Sequence, residues 1–544
     1  MPGTARWARA TTATVVLGVA VLWLIWSPLD ANDLLAGDEG YYGTLARNVL
    51  ADRAQWLSPS LTPLGPPGDK PPLYPGLLAL SVAGGGPTAG ALRWPSVALA
   101  VLIALGAGVL ARRAASAAGI DGAPWAAPAA TAMLVTLPWY GDASRFAMSD
   151  IPMTAAGIAA WNAVTGGRSS VPRALATGAL LGLAFQFKLW LAGVFVLPSL
   201  MASWAGARGS VRAPLALLGA AALVGLLHLG AVAALEPARL GHWADVYWWR
   251  MLLERVGDTG SVYARSPTYY GSLLAHALVL VLPLAGLGLD RLRQRWREPT
   301  ALLVLTGCAT FLALSAFAVK SAVYLYALLP AWVIAAGVGV VSIASRTARP
   351  GIVTIILAAA SFPPLVAAMG GTPPPLVAWA GAWLGGAVVL LVARLRPQWS
   401  AAAAVALCAL AAGVGLARQS RRLPERFHDP GYRAVAKSLA PYLAAKPPGR
   451  PSFVAPEAPT FAYHLFRTGL YWATPRQPWG VERRESIAAD TSLRAFVVDP
   501  SRSAYGGWPD STTVAWLEGE TREITGEIEA HARRPIAVRV FVRR

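Results

Sequence analysis

Long apolar stretches bounded by Arg and Pro alternate with short polar segments over the first 417 of the 544 residues. A membrane-spanning helix needs about 20 predominantly apolar residues. Thirteen segments meet or approach that length, and each predicts a spanning helix: 11–28, 90–111, 124–140, 151–166, 173–187, 189–205, 213–235, 270–289, 300–319, 321–344, 351–369, 376–394 and 399–417. The first follows Arg6 and Arg9 and has no convincing cleavage site after it, so we interpret it as a retained span.

The distribution of charge orients these spans. With the N-terminus in the cytoplasm, the inner segments carry 16 Lys and Arg residues against three acids, whereas the long outer loops carry eight against 12. An excess of Lys and Arg marks the cytoplasmic side of membrane proteins. The sequence therefore predicts a multi-pass protein of the plasma (inner) membrane. The net charge of +19 is explained by this bias, without a nucleic-acid partner.

Two shorter apolar segments lie in the first outer loop, residues 29–89. In 39–52 the apolar side chains recur at helical spacing with polar ones on another face, and 71–83 is apolar but short and begins with proline. Both segments predict amphipathic juxtamembrane helices that lie on the membrane rather than cross it.

The pattern changes after residue 417, where the chain becomes polar. Short β-like runs alternate with helical stretches around 431–445 and 521–533. The runs are Ser452–Val454, Ala495–Val498 and Ile536–Val542. Residues 418–544 are therefore predicted to form a small α/β domain, distinct from the all-α membrane domain of residues 1–417. An odd number of spans places this domain outside the cytoplasm.

The composition and the missing motifs argue against several classes of function. Only 14% of the residues are charged and 55% are hydrophobic, which is typical of a membrane protein rather than a soluble one. The two cysteines, Cys308 and Cys408, fall in apolar runs and predict small buried side chains rather than a disulfide or a metal site. The chain has no Walker-type loop, which argues against an ATP-driven pump.

Charged side chains beside apolar spans are costly unless they lie at the water boundary or serve a function. The predicted topology places a set of them at the outer face of the membrane, and their convergence suggests one polar site there. The set is Asp38, Asp69, Lys70, Asp150, Lys188, Glu254 and Lys320.

Short motifs follow one another in order along residues 1–345. They are Asp38-Glu39 with Tyr42 and Arg47, Trp56-Leu57-Ser58-Pro59, Asp69-Lys70-Pro71-Pro72, Ser144-Arg145-Phe146-Ala147-Met148-Ser149-Asp150-Ile151-Pro152, and Lys320 with the run Tyr324 to Pro330. In this order they resemble those of the polyprenyl-phosphate-dependent glycosyltransferases of the GT-C fold. Similar families are the 4-amino-4-deoxy-L-arabinose lipid A transferases and the protein O-mannosyltransferases, which carry Glu where this chain has Asp69.

The resemblance implies a lipid-phosphate sugar as donor, with its phosphate at the membrane surface. Sugar transfer needs a cation for the phosphate and a carboxylate that takes the proton of an acceptor hydroxyl. The candidate catalytic residues are Asp38 and, in support, Glu39, which we expect to pair with Arg145 or Lys70. The candidate phosphate-binding residues are Lys70, Lys320 and Arg255, and the supporting residues are Tyr42, Asp69, Arg145 and Asp150.

These side chains also have structural interpretations. Asp38 would cap the helix over 39–52, since aspartate is a favoured N-cap residue. Lys70 would lie at the interface with its stem along apolar surface. Lys320 would be an ordinary charge at a span boundary.

Many relatives carry a Glu-His pair in the long loop after the seventh span, where the His can contribute to a metal site. The corresponding stretch here, Trp248-Trp249-Arg250-Met251-Leu252-Leu253-Glu254-Arg255, has no His in register. The ligand spacing therefore does not support a divalent metal, and no other cofactor is expected.

The expected activity is inverting transfer of a sugar from a polyprenyl-phosphate donor to an acceptor on the outer face of the membrane. Lipid A, a protein hydroxyl and a cell-envelope glycan all fit as acceptor. The alternative is a transporter or flippase of lipid-linked sugars without transferase activity, which would also explain the many spans. The predicted charges gather at one face, however, whereas transporters bind near the bilayer midplane.

Overall fold

The computed structural model describes residues 29, 38–61, 67–167, 169–257, 265–279, 281–361, 384, 399–426, 434–439, 452–454, 474–476, 493–498, 511–532 and 539–543. The chain divides into two compact units. The first, here the helical unit, comprises Met1–Ser27, Ser96–Arg145 and Ser149–Leu423. The second, here the mixed unit, comprises Pro28–Pro95, Phe146–Met148 and Pro424–Arg544.

Helices dominate the described chain, and five short strands lie in its tail. The α-helices are α1 Asp38–Ala51, α2 Leu73–Gly85, α3 Ala89–Ala117, α4 Ala126–Thr136, α5 Pro138–Ser144, α6 Asp150–Thr165, α7 Val171–Lys188, α8 Gly193–Gly206, α9 Arg212–Gly225, α10 Leu227–Leu235, α11 Leu240–Ala244, α12 Glu254–Gly257, α13 Tyr269–Ala277, α14 Val281–Arg293, α15 Pro299–Ser315, α16 Leu325–Ala344, α17 Ile352–Ala360, α18 Ser400–Arg426, α19 Ser511–Glu520 and α20 Thr525–Ala532. A π-helix, Asp245–Leu253, lies between α11 and α12. The strands are β1 Ser452–Val454, β2 Thr474–Arg476, β3 Leu493–Val498, β4 Thr521–Glu523 and β5 Arg539–Arg543.

By length and composition, four described helical segments could cross a membrane: Ala89–Ala117, Val171–Gly206, Arg212–Leu235 and Ala322–Ala344, of which Val171–Gly206 contains the reversal at Leu189 described below. Helices α13 and α14 add a fifth if two helices bent by 104° are taken as one broken span. The multi-pass character predicted from the sequence is therefore confirmed. The count of thirteen spans stays a prediction, because residues 1–28, 362–383 and 385–398 lie outside the described residues.

Two predicted spans are interrupted rather than continuous, and a third is irregular at one residue. The span predicted at 124–140 breaks at Leu137, whose ψ of 128° is extended because Pro138 follows it. The span at 213–235 is one helical segment, Arg212–Leu235, in which Leu226 is the single residue between α9 and α10. Gln186 lies at this irregularity, where its amide donates to the carbonyl oxygens of Val224 (3.2 Å) and Gly225 (2.6 Å). The span at 270–289 breaks at residues 278–280, between α13 and α14.

The chain reverses direction between α7 and α8. Leu189 has a φ of 46°, a left-handed conformation that is uncommon for a residue other than glycine. Ser169, before α7, donates a hydrogen bond of 3.4 Å to the carbonyl of Ser203, near the end of α8. A continuous helix would separate these residues by roughly 50 Å. The two helices are therefore antiparallel, in agreement with the predicted division of this stretch at Lys188.

Charged residues occupy opposite ends of the helical unit. At one end Arg113 bonds the last turn of α6, the Arg295 guanidinium lies beside Gly119, and Ser345 lies beside Gly122. At the other end Lys188 pairs with Asp150, the first residue of α6, and lies over the ring of Tyr324. Segments that the sequence assigns to opposite sides of the membrane are thus at opposite ends of this unit.

Glycine permits the closest helix packing in the helical unit. A Cβ on Gly288 of α14 would collide with the carbonyl oxygen of Ala335, and one on Gly339 of α16 would collide with that of Leu284. The two helix backbones therefore lie against each other, which small residues allow in membranes.

The mixed unit contains α1 and α2, which pack together, and the strands of the tail. The strand order is β2-β1-β3-β5-β4. Strand β1 runs parallel to β2 and β3, whereas β5 runs antiparallel to β3 and β4. Phe496, Val498 and Phe541 form a buried cluster with Leu517 of α19. The tail thus combines strands with helices, as predicted, although the domain boundary at residue 418 stays a prediction.

One prediction for the tail is wrong. The helix expected over 521–533 begins only at Thr525, because Thr521–Glu523 pairs with β5 as an edge strand. Tertiary pairing with a distant strand overrides the local helical pattern here.

We expect Gly288→Ala to lower the free energy of unfolding by roughly 1–3 kcal/mol, because the added methyl overpacks the contact between α14 and α16. Gly230→Ala in α10 is the matched control, since no atom lies within 4 Å of the added Cβ. The measurement is the thermal unfolding midpoint of both variants in the same detergent. Equal midpoints for the two variants would contradict the close approach of α14 and α16.

Candidate functional site

Two neighbouring carboxylates begin α1 and lie in different environments. Asp38 is exposed, whereas Glu39 is only 2% exposed. Glu39 makes a two-pronged ion pair with Arg93, with distances of 2.7 Å from Nε to Oε1 and 2.8 Å from Nη2 to Oε2. The backbone N–H of Ala147 also donates to Oε1, at 3.2 Å. Glu39 is therefore locked in place, while Asp38 offers an accessible carboxylate.

Arg93 ties together separate parts of the mixed unit. Its Nη1 donates to the carbonyl of Leu29 at 2.7 Å, and its guanidinium lies 5.9 Å from the centre of the Phe146 ring. A buried pair of this kind is costly to break, because the remaining charge has no water to solvate it. Arg93 thus fixes the first turn of α1, and with it the position of Asp38.

Tyr41 of α1 forms a second cluster with Asp69 and Lys70, which lie in the loop before α2. The Tyr41 hydroxyl donates to Asp69 Oδ1 at 2.7 Å, and it accepts from the Asp69 backbone N–H at 3.3 Å. The other carboxylate oxygen, Oδ2, lies 3.0 Å from Lys70 Nζ. Asp38 and Tyr41 are three residues apart and so share a face of α1. Through Asp69 and Tyr41, this arrangement holds the Lys70 ammonium near α1, the helix that carries Asp38.

The protonation states of this cluster follow from its contacts. Burial raises the pKa of Tyr41, and the negative charge of Asp69 raises it further. Burial also pushes the pKa of Asp69 upward, but the Lys70 ammonium and the Tyr41 hydroxyl outweigh it and hold the pKa below its ordinary value. Tyr41 therefore stays a neutral donor and Asp69 stays an anion, which maintains the pair with Lys70.

Gly68 makes the approach of Tyr41 to Asp69 sterically feasible. A Cβ at this position would lie 2.7 Å from the Tyr41 hydroxyl oxygen and 3.3 Å from the carbonyl oxygen of Pro59. The Gly68 N–H donates to that same carbonyl at 2.7 Å. The loop before Lys70 is thus pressed against α1 at a residue without a side chain.

The remaining motif residues of the first outer loop frame this cluster. Tyr42 is buried and meets the Tyr74 ring edge to face, with centres 4.9 Å apart. Arg47 is fully buried, and its Nε donates to Asn48 at 2.9 Å, while Asn48 donates to the carbonyl of Ser60 at 2.7 Å. Burial lowers the pKa of Arg47 to about 10. These contacts join α1 to α2 and to the segment after α1.

The helical unit holds the other predicted residues. Asp150 is fully buried and pairs with Lys188, a residue that the sequence analysis placed at the outer face without a role. Lys188 also lies 5.5 Å from the centre of the Tyr324 ring. Arg145 is buried at 7% exposure in the turn after α5. Arg255 belongs to α12, but its side chain lies outside the part of the chain that the structure describes.

Lys320 is a buried ammonium held by backbone carbonyls. It is 3% exposed, and it donates to the carbonyl oxygens of Arg265, at 3.0 Å, and Phe317. Among the described residues no carboxylate pairs with it. An ammonium has three donors, so this arrangement can supply one more hydrogen bond to an anion.

Arg93 and Tyr41 are the residues that sequence reasoning missed. Arg93 stood near the start of an apolar segment, and a charge inside such a segment is a signal for a buried partner. Tyr41 lies one helical turn after Asp38, which is a signal that the two side chains share a face.

A metal site finds little support in the residues that the structure describes. They contain no group of three or more His, Cys, Asp or Glu side chains that could hold an ion.

The apolar helices are those of a multi-pass membrane protein. No protein-family model and no curated protein sequence matches the chain. Solved structures do: the crystal structure of ArnT from Cupriavidus metallidurans in the apo state has a TM-score of 0.62 and 20% identity, over 98% of each chain. The structure of the same ArnT bound to undecaprenyl phosphate has a TM-score of 0.61 and 17% identity, over 97% of each chain. The fold that the motifs implied is thus confirmed over nearly the whole chain.

We expect Glu39→Gln to lower the free energy of unfolding by roughly 3 kcal/mol, because it leaves the Arg93 charge buried without its full partner. Asp38→Asn, one residue away and exposed, is the matched control and should leave the unfolding midpoint unchanged. A second variant, Glu39→Gln with Arg93→Met, should recover part of the loss. Thermal unfolding in detergent checks all three, and equal midpoints for Glu39→Gln and Asp38→Asn would refute the role of the pair.

Tyr41→Phe should cost about 1 kcal/mol at pH 7, since the lost hydrogen bond reaches a carboxylate that is partly exposed and screened. The lowered pKa of Asp69 stabilises the fold fully above its unfolded pKa of about 3.9, and this contribution disappears as the pH falls through the lower folded value. The variant should therefore lose less stability than the wild type between pH 6 and pH 3. Unfolding midpoints over this range test the expectation, and identical profiles would contradict it.

Proposed function

We propose that this protein is a membrane glycosyltransferase that moves a sugar from a polyprenyl-phosphate donor to a hydroxyl acceptor. The fold supports this proposal, because the similar ArnT of Cupriavidus metallidurans has been crystallised with undecaprenyl phosphate. The motifs of the first outer loop support it independently. Lipid A, a protein hydroxyl and a cell-envelope glycan remain the acceptor classes.

The observation that carries the proposal is the contrast between Asp38 and Glu39. A buried ion pair occupies both oxygens of Glu39, whereas Asp38 is exposed on a turn that this pair makes rigid. A general base must be accessible and held in place at the same time. We therefore assign Asp38 as the catalytic carboxylate and Glu39 as the residue that positions it.

The donor phosphate requires cations, and three are proposed. Lys70 is held beside α1 by Asp69 and keeps 22% of its side chain exposed. Lys320 is desolvated and retains donor capacity, which favours an anion. Arg255 is proposed on the resemblance alone. Tyr42, Asp69, Arg145 and Asp150 are proposed as supporting residues that hold these groups in place.

The proposed step is a single displacement. The acceptor hydroxyl oxygen bonds to the anomeric carbon while its proton passes to Asp38, and the bond from that carbon to the phosphate oxygen breaks. The electron pair of the broken bond leaves with the polyprenyl phosphate, whose added negative charge the Lys70 ammonium stabilises. A single displacement inverts the configuration at the anomeric carbon.

The place of the reaction is part of the proposal. The bias of Lys and Arg toward the predicted inner segments supports an outer-face site in the plasma (inner) membrane, with a cytoplasmic N-terminus. The same topology puts the tail, residues 418–544, outside the cytoplasm.

We expect Asp38→Asn to reduce transfer at least about 100-fold, in line with the contribution of a general base. Lys70→Ala should reduce it by roughly 10- to 100-fold, because a charge-assisted contact to the phosphate is lost. The assay follows consumption of radiolabelled undecaprenyl-phosphate sugars by purified protein in detergent, with cell-envelope extract as acceptor.

Asp52→Asn is the matched control for that assay. Asp52 lies just past the other end of α1, is exposed, and caps the N–H of Ala54 at 2.9 Å, which asparagine can also do. It should retain wild-type transfer. Normal transfer by both Asp38→Asn and Lys70→Ala would overturn the site, and intact recovery of every donor with the wild type would overturn the enzyme assignment.

A further inference from the structure

Three arginines converge where α3 and α6 end and α7 begins, at the opposite end of the helical unit from Asp150. They are Arg112, Arg113 and Arg173, and all three are half-buried. None of them belongs to the candidate site described above, and the proposed reaction gives them no task.

Arg113 is held rigidly at this place. Its Nη1 donates to the carbonyl of Asn162 at 2.7 Å and to the Thr165 hydroxyl at 3.1 Å, in the last turn of α6. These contacts satisfy helix-end acceptors that would otherwise have no partner within the helix. The guanidinium is therefore fixed before any ligand arrives, which lowers the entropy cost of binding.

The turn Gly166–Gly167, between α6 and α7, brings a second guanidinium beside the first. A Cβ on Gly166 would lie 3.7 Å from Arg113 Nη2, and one on Gly167 would lie 2.9 Å from Arg173 Nη1. The Arg113 guanidinium thus lies beside Gly166 and the Arg173 guanidinium beside Gly167, two adjacent residues without side chains. Arg112 adds a third positive charge within electrostatic range of Arg113.

The sequence near these arginines carries only positive charge. The sequence contains no Asp or Glu in residues 105–118 or in residues 161–174, the stretches that surround these arginines. The N-terminus of α7, an 18-residue helix, adds its partial positive charge at the same turn. Three cations and a helix N-terminus together attract an anion, and guanidinium groups match the oxygens of a phosphate.

The neighbouring surface is apolar. Val171 and Leu175, one turn apart at the start of α7, are 45% and 46% exposed, on either side of Arg173 in the sequence. A soluble phosphate would make no use of them, whereas a lipid offers a phosphate and an acyl chain together.

From these contacts we propose that Arg112, Arg113 and Arg173 form a binding site for the phosphate of an anionic membrane lipid, with the acyl chain along Val171 and Leu175. The site lies at the arginine-rich end of the helical unit. It is independent of the proposed transferase reaction.

The test uses native mass spectrometry of the full-length protein in detergent with phosphatidylglycerol as the probe. The variant Arg112→Gln with Arg173→Gln should bind this lipid roughly 30-fold more weakly, since each basic side chain near an anionic headgroup contributes about fivefold. Arg113 is left unchanged because it also caps α6. The matched control, Arg295→Gln with Arg297→Gln, removes two arginines from the same end and should bind within about twofold of the wild type.

Three results would overturn the proposal. The first is wild-type affinity in the Arg112 and Arg173 double variant, with folding confirmed by its unfolding midpoint. The second is equal binding of phosphatidylglycerol and zwitterionic phosphatidylcholine by the wild type. The third is complete displacement of phosphatidylglycerol by inorganic phosphate at the same concentration, which would show that the site binds free phosphate rather than a lipid.

Discussion

The buried ion pair between Glu39 and Arg93 is the interaction on which the mixed unit depends most. Both side chains are almost inaccessible, so their charges survive only because each satisfies the other with paired hydrogen bonds. Arg93 also donates to the carbonyl of Leu29, and Glu39 accepts from the N–H of Ala147, so that four distant parts of the chain meet at one ion pair. This pair fixes the first turn of α1 and therefore the position of Asp38, whose side chain stays exposed to solvent.

The helical unit also holds buried charged side chains through specific partners, and these lie at its ends. Lys188 and Asp150 pair where the chain reverses after α7, and Leu189 next to them has a left-handed backbone conformation. Lys320 is held by carbonyl oxygens alone among the described residues. Between these ends the interior is apolar, and glycines such as Gly288 and Gly339 let helices approach to backbone contact. Polar groups in the described part of the helical unit are thus concentrated at its ends.

Several features were readable from the chain because they depend on local pattern. The helices at 39–52 and 71–83 follow from apolar spacing and proline, and the structure has them at Asp38–Ala51 and Leu73–Gly85. The neighbours Asp69 and Lys70 do pair. The predicted partner of Glu39 was wrong. We expected Arg145 or Lys70, and the structure shows Arg93, 54 residues away. Spacing along a chain carries little information about a contact that folding creates.

The sequence by itself determined the membrane class, the bias of charge between the two sides, and the motifs that implied a GT-C fold, because hydropathy and local motifs need no tertiary contact. Only the tertiary structure decided that Glu39 is buried and Asp38 is exposed. Adjacent residues of a helix point in different directions, and the rest of the protein packs against only one of the two side chains. The tertiary structure also decided where a helix becomes irregular, as at Leu226, where Gln186 of another helix donates to the carbonyl oxygens of Val224 and Gly225. Long-range partners set these outcomes, and no local pattern encodes them.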